Sequence, residues 1–152
     1  MKILLISDSH GRKTEVTNLI CNTSCDYVFF MGDGLRDVDE IDDSIIKKVC
    51  GNCDFFSSEA VTRFENIDNY KIMITHGHEF RAKNGFDNMV SYAKKHNCNI
   101  VVFGHIHQQT NKIINDVLLV NPGAFKKGDY AILTLSSKSN PIVEFKNIDD
   151  NP

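Results

Sequence analysis

Five short apolar runs, each broken off at a glycine, aspartate, asparagine or histidine, constrain this chain more than any other feature. They are "KILLIS" before Asp8, "YVFFM" before Gly32-Asp33, "KIMIT" before His76, "IVVF" before Gly104 and "VLLV" before Asn121-Pro122-Gly123. Apolar runs of four to six residues bounded by turn formers read as strands buried on both faces. A weaker run, "IIKKVC", precedes Gly51-Asn52.

Helical periodicity lies between some of these runs. Phe86, Met89, Val90 and Ala93 are spaced i, i+3, i+4, i+7, with Lys94, Lys95 and His96 at the end where a helix dipole favours cations. Val16, Leu19 and Ile20 suggest a helix directly after the first strand. Val38, Ile41, Ile45 and Val49, opened by Asp37 and Glu40 as a capping box, predict another.

Strand-helix-strand alternation implies a parallel sheet, whose ligands gather at the carboxyl ends of its strands. Later the pattern changes. "KII" and "VLLV" flank Asn115-Asp116, a two-residue hairpin signal, and "YAILTL" and "IVEF" follow without a helix between them. The expectation is a mixed α/β sandwich formed by one domain, residues 1–152.

The residues at the strand ends are those that bind metals. In order they are Asp8-x-His10, Gly32-Asp33, Gly51-Asn52, His76-x-His78 and Gly104-His105-x-His107, and they take up five of the six histidines. Residues i and i+2 of an extended segment point to one side, so each pair is expected to present two donors to one cavity. Imidazoles from His10, His76, His105 and His107, carboxylates from Asp8 and Asp33 and the Asn52 amide oxygen form a set that suits Mn, Fe, Ni or Zn better than a cysteine-rich structural zinc does.

Seven donors exceed the needs of one four-coordinate ion. They suit two if one carboxylate bridges. Two ions roughly 3.5–4 Å apart generate hydroxide near neutral pH and stabilise both oxygens of an in-line displacement at phosphorus. Each of these residues alone has a plainer use, histidine as a hydrogen-bonded buried ring and aspartate as a turn former or cap. Five ordered motifs together are hard to explain that way.

The ordered set D-x-H, G-D, G-N, H and G-H-x-H resembles the calcineurin-like metallophosphoesterase superfamily, and "GNCD" and "HGH" resemble its small single-domain bacterial and archaeal phosphodiesterases. The resemblance runs from Asp8 to His107 and on to "NPG" at 121. It implies a four-layer α/β/β/α sandwich with two mixed β-sheets. It also implies two divalent ions per chain, with Mn2+ foremost and Ni2+, Fe2+, Zn2+ or Mg2+ as alternatives. Asp8, His10 and His107 would take one ion, Asn52, His76 and His105 the other, and Asp33 would bridge.

The implied activity is phosphodiester hydrolysis of a small substrate, with phosphomonoester hydrolysis or a non-catalytic scaffold like a retromer subunit as alternatives. Homodimers or homotetramers are frequent in the family. The chain departs from it at Cys53, where many members carry a histidine thought to protonate the leaving group. A thiol beside two cations is expected to have a lowered pKa and to donate protons poorly. His78 is the expected substitute, with Asn52 and Asp33 beside it as the residues acting at the reacting centre. Arg12, Asn121 and Gly123 are expected substrate contacts, although "NPGAF" has Ala124 where the family has serine.

Composition narrows the partners. A net charge of −3, from 17 basic and 20 acidic residues, supplies no basic field for stable nucleic-acid binding. No segment approaches membrane-spanning length, the apolar start is too short for a signal-peptide core, and five cysteines without a secretion signal predict reduced thiols and a cytoplasmic protein. Cys50-x-x-Cys53 with Cys21 and Cys25 offers a competing structural-zinc or redox reading.

Overall fold

The computed structural model describes residues 1–150. The strands are β1 (Lys2–Ile6), β2 (Tyr27–Phe30), β3 (Ile46–Lys48), β4 (Thr62–Ile67), β5 (Tyr70–Thr75), β6 (Ile100–Val102), β7 (Thr110–Ile114), β8 (Val117–Asn121), β9 (Asp129–Ser136) and β10 (Ser139–Asn147). Helix α1 (Lys13–Asn22) joins β1 to β2, and α2 (Asp87–Lys95) lies between β5 and β6. Two five-stranded mixed sheets result, in the orders β10-β9-β1-β2-β3 and β4-β5-β6-β8-β7.

Side-chain alternation turns the apolar runs into four layers. Ile3 and Leu5 of β1 face Ile72 and Ile74 of β5 in a core between the sheets. Leu4 and Ile6, pointing the other way, pack with Val16 and Ile20 of α1. Met73 and Val101 likewise meet Met89, Val90 and Ala93 of α2 on the outer face of the second sheet. Both faces of each central strand are therefore buried, and so the strands read as continuous apolar runs. At about 25 cal/mol per Å² of apolar surface, burial of this kind is the main force holding the layers together.

Parallel pairing puts the functional ends together. β1 pairs with β2, and β5 with β6, in parallel register. The carboxyl ends of these four strands thus open on one edge of the sandwich.

Two expectations need correction. The helix expected from Val38 to Val49 is a single 3-10 turn, Leu35–Val38, followed by β3. The Asp37 carboxylate caps no helix there, because it accepts from the Ser9 hydroxyl and the Gly11 N–H instead. Val38 lies in that turn, Ile41 and an exposed Ile45 in the connection, and Val49 just past β3, where it packs between the sheets, so the helical spacing is coincidental. The second is β4, which the sequence reading leaves unassigned; it forms a hairpin with β5 around Asp68 and Asn69, and Asp68 adopts φ 52.

Candidate metal centre

Five of the seven expected donors do not sit on extended backbone. Asp8, His10, Asp33, His105 and His107 all have positive φ, between 45 and 69°. The i, i+2 geometry expected for strand residues is therefore replaced by left-handed turns just beyond the strand ends. Such backbone costs a non-glycine residue free energy and persists only where its surroundings enforce it. Five of the eleven non-glycine residues with positive φ are donors of this one cluster.

Hydrogen bonds supply the enforcement. Fully buried Asp8 accepts at Oδ2 from the His105 N–H (3.0 Å) and from the Ser7 hydroxyl, leaving Oδ1 toward the cavity. Asp33 accepts at Oδ1 from the Cys53 N–H at 2.7 Å. Asp54, given no role by the sequence reading, takes the backbone N–H groups of Asp33, Gly34, Leu35 and Gly51 on its two carboxylate oxygens at 2.7–3.0 Å. It thereby ties the loop after β2 to the Gly51-Asn52 loop.

Two glycines permit the approach. A side chain at Gly104 would strike Ser7 and Asp8, and one at Gly51 would strike Asp33.

His76 is oriented from behind. Its Nδ1 donates to the Met31 carbonyl at 2.6 Å, so Nε2 faces Asn52 Oδ1 at 3.0 Å, Asp33 Oδ2 at 3.3 Å and Asp8 Oδ1 at 3.9 Å. His107 Nε2 lies 3.0 Å from Asp8 Oδ1. His10 Nε2 lies 3.9 Å from both Asp8 Oδ1 and Asp33 Oδ2.

These atoms fall into two groups that could each hold an ion: Asp8, His10 and His107, and Asp8, Asp33 and His76. The resemblance assigns the bridge to Asp33, whereas Asp8 is common to both groups here; Asp33 Oδ2 also faces one imidazole of each. The His105 ring stands 5.0 Å from that of His76 and 6.1 Å from that of His78, beside the second group. No cysteine enters either group, and the five thiols are free.

The electrostatics fit a divalent metal. Neither Asp8 nor Asp33 pairs with a lysine or arginine among the described residues; histidine nitrogens are the basic groups beside them. Buried carboxylates without a matching cation are costly. Burial pushes the Asp33 carboxyl up, but the His76 hydrogen bond and charge and the Cys53 N–H outweigh it and hold it well below the usual range. Burial pulls His76 down, and Asp33 with Asp8 more than offset this, so its net shift is upward. Its proton would leave when an ion binds.

Burial and the neighbouring His76 charge lower His78, and burial first, then His76 and Lys83, depress His105 to about 4. Burial and the Asp33 carboxylate push the Cys53 thiol up.

The three expected substrate contacts all make contacts within the protein. Asn121 is fully buried; its amide donates to the Gly104 carbonyl and accepts from the Gly123 N–H. It holds the His105 loop. Gly123 is buried in that same turn. Arg12 pairs with Glu15, reaches the Phe125 and Lys126 carbonyls and lies over the Phe125 ring. His78 does belong to the cluster, with its ring 5.3 Å from that of His76. His96, just past the end of α2, packs at a tilt against the rings of Phe64 and Tyr92.

Comparison with known proteins agrees with this geometry. A curated relative, probable metallophosphoesterase YsnB of Bacillus subtilis (strain 168), is 28% identical over 145 residues, covering 90% of this chain and 86% of its own. A predicted phosphoesterase structure from Streptococcus pneumoniae TIGR4 superposes with a TM-score of 0.85 at 26% identity, covering 97% of this chain and 90% of that one. Two more distant structures share the fold. An archaeal phosphodiesterase matches at TM-score 0.74 and 22% identity, over 96% of this chain and 100% of its own. Vps29 of Entamoeba histolytica matches at 0.76 and 18%, over 97% and 99%. The family model for the calcineurin-like phosphoesterase superfamily domain matches residues 1–138, and the chain belongs to that superfamily.

Proposed function

We propose that this chain is a metal-dependent phosphodiesterase acting on small diesters, with phosphomonoester hydrolysis as a lesser activity. The observation that carries the reading is the pair of facing donor groups built around Asp8 and Asp33. Two divalent ions, Mn2+ foremost, would polarise the phosphoryl oxygens and activate water at neutral pH. Asp8, His10 and His107 would hold one, Asn52, His76 and His105 the other, with Asp33 between them.

The chain's own groups do the rest. The Met31 carbonyl keeps His76 in the tautomer that presents Nε2, and Asp54 keeps Asp33 and the Asn52 loop in place. His78 is the group proposed to protonate the leaving oxygen. Its Nδ1 is buried with no hydrogen-bond partner, at the edge of the cluster. The lowered pKa of His78 leaves little imidazolium at neutral pH, so esters with good leaving groups should be preferred.

A shared fold, as with Vps29, is neutral between an enzyme and a non-catalytic scaffold. The full donor set favours the enzyme, since a scaffold has no use for seven convergent ligands. Metal-free protein supplied with Mn2+ or Ni2+ should hydrolyse bis-p-nitrophenyl phosphate, and inactivity with every divalent ion would favour the scaffold. His78→Gln should cost about 10²-fold or more on alkyl leaving groups and far less on p-nitrophenolate; equal losses on both would remove His78 from the acid role.

A further inference from the structure

A groove of about 720 Å³ opens beside the cluster, between the Gly34–Asp39 turn and residues 53–59. His10 and Asp33 form its inner wall, while neither His78 nor His105 lines it. Its outer wall is Phe55-Phe56. These two rings are 75% and 105% exposed, the highest values among the large hydrophobic side chains of the described residues.

Phe56 also has φ 62, a left-handed conformation that a bulky side chain rarely adopts. Backbone strain of this kind clusters at active sites and ligand clamps, and here it accompanies two adjacent exposed rings. Arg36 borders the groove with no ion pair or hydrogen bond among the described residues. Lys48, on the same wall, is already engaged by Asp43 and Glu59.

We infer that this groove holds the retained arm of the substrate and that the arm is a flat heteroaromatic group, such as a nucleoside, stacked on Phe55 and Phe56. The inference rests on the phosphodiesterase reading, in which a donor at His78 marks the leaving-group side. The groove opens from the His10 side, so the arm that stays on phosphorus is the one it receives. Its volume suits a single nucleoside. Exposed aromatic rings hold any base by its π-face, and Arg36 adds a cation at the rim.

Three diesters with a common p-nitrophenolate leaving group test this on the Mn2+-loaded protein. Their retained arms are methyl, phenyl and thymidine 5′. The kcat/KM for the thymidine ester should exceed that for the methyl ester by about tenfold or more, with phenyl between them. In Phe55→Ser/Phe56→Ser that ratio should fall to within about twofold of one, and thymidine 5′-phosphate should bind about tenfold more weakly than to wild type. A wild-type ratio near one, or unchanged thymidine 5′-phosphate binding by the double variant, overturns the groove assignment while hydrolysis itself stands. Hydrolysis of none of the three esters is instead the failure of the phosphodiesterase reading.

Discussion

The two sheets bring opposite chemistry to the shared edge. Loops after β1, β2 and β3 supply both carboxylates, Asp8 and Asp33, with His10 and Asn52; loops after β5 and β6 supply only imidazoles, His76, His78, His105 and His107. Each half is also held by the other. The His105 N–H from the second sheet fixes Asp8 of the first, and the Met31 carbonyl from the first fixes His76 of the second. The site is therefore a property of how the sheets face one another. Each candidate donor group draws on both sheets, Asp8 and His10 with His107 in one and Asp8 and Asp33 with His76 in the other.

The largest test of this division removes the carboxylate assigned between the two halves. Asp33→Ala should lose both ions and at least about 10³ in activity, while Asp8→Ala should retain close to one ion per chain. Metal content by mass spectrometry of the dialysed variants separates them. The reverse pattern would make Asp8 the bridge, as its membership of both donor groups allows.

Next in size is the support on the carboxylate side. Asp54→Asn replaces a charged acceptor of four N–H groups by a weaker, neutral one and should cost about 10–100-fold in metal affinity. Isothermal titration with Mn2+ measures it. A change under twofold would show that the two loops hold themselves.

The histidine side has a matching support in Asn121. Asn121→Ala leaves the buried Gly123 N–H without its acceptor and removes one of the two hydrogen bonds to the Gly104 carbonyl, which should cost about 1–3 kcal/mol by chemical denaturation. The Gly104–His107 turn should loosen with it.

Much of this was legible in the sequence, for identifiable reasons. β1, β2, β5, β6 and β8 are buried on both faces, so their runs are continuous and their ends sharp. Six of the seven expected donors stand where those runs stop, and Asn52 follows the weaker run of β3. β3 and β4 were harder, because Ile46–Lys48 is short and carries two lysines, and Thr62–Ile67 is an edge strand with mixed polarity.

The supporting contacts were not legible. Asp37 suits a local capping box equally well, and only the tertiary contact with Ser9 and Gly11 shows its use. Nothing in the neighbours of Asn121 records that its amide bonds Gly104 and Gly123. The left-handed turns at five donors likewise depend on long-range hydrogen bonds such as that from His105 to Asp8.

The smallest expected effect concerns pH and the metal-free chain. His105 is depressed from 6.5 to about 4, so between those values the unfolded chain binds a proton that the folded chain does not. Stability should therefore fall as pH falls through that window. His76 works in the opposite direction: its raised pKa adds stability that is complete below 6.5 and is lost as pH rises through its folded value. Denaturation of His105→Asn should show a shallower decline from pH 6.5 to 4 than wild type, and an identical slope would remove His105 as its source.

Electron paramagnetic resonance of the Mn2+-loaded protein tests most directly whether the two sheets hold a pair of ions. Two Mn2+ bridged by one carboxylate should give an exchange-coupled spectrum that reaches full intensity at two ions per chain. A six-line spectrum of isolated Mn2+ saturating at one ion per chain would contradict the account.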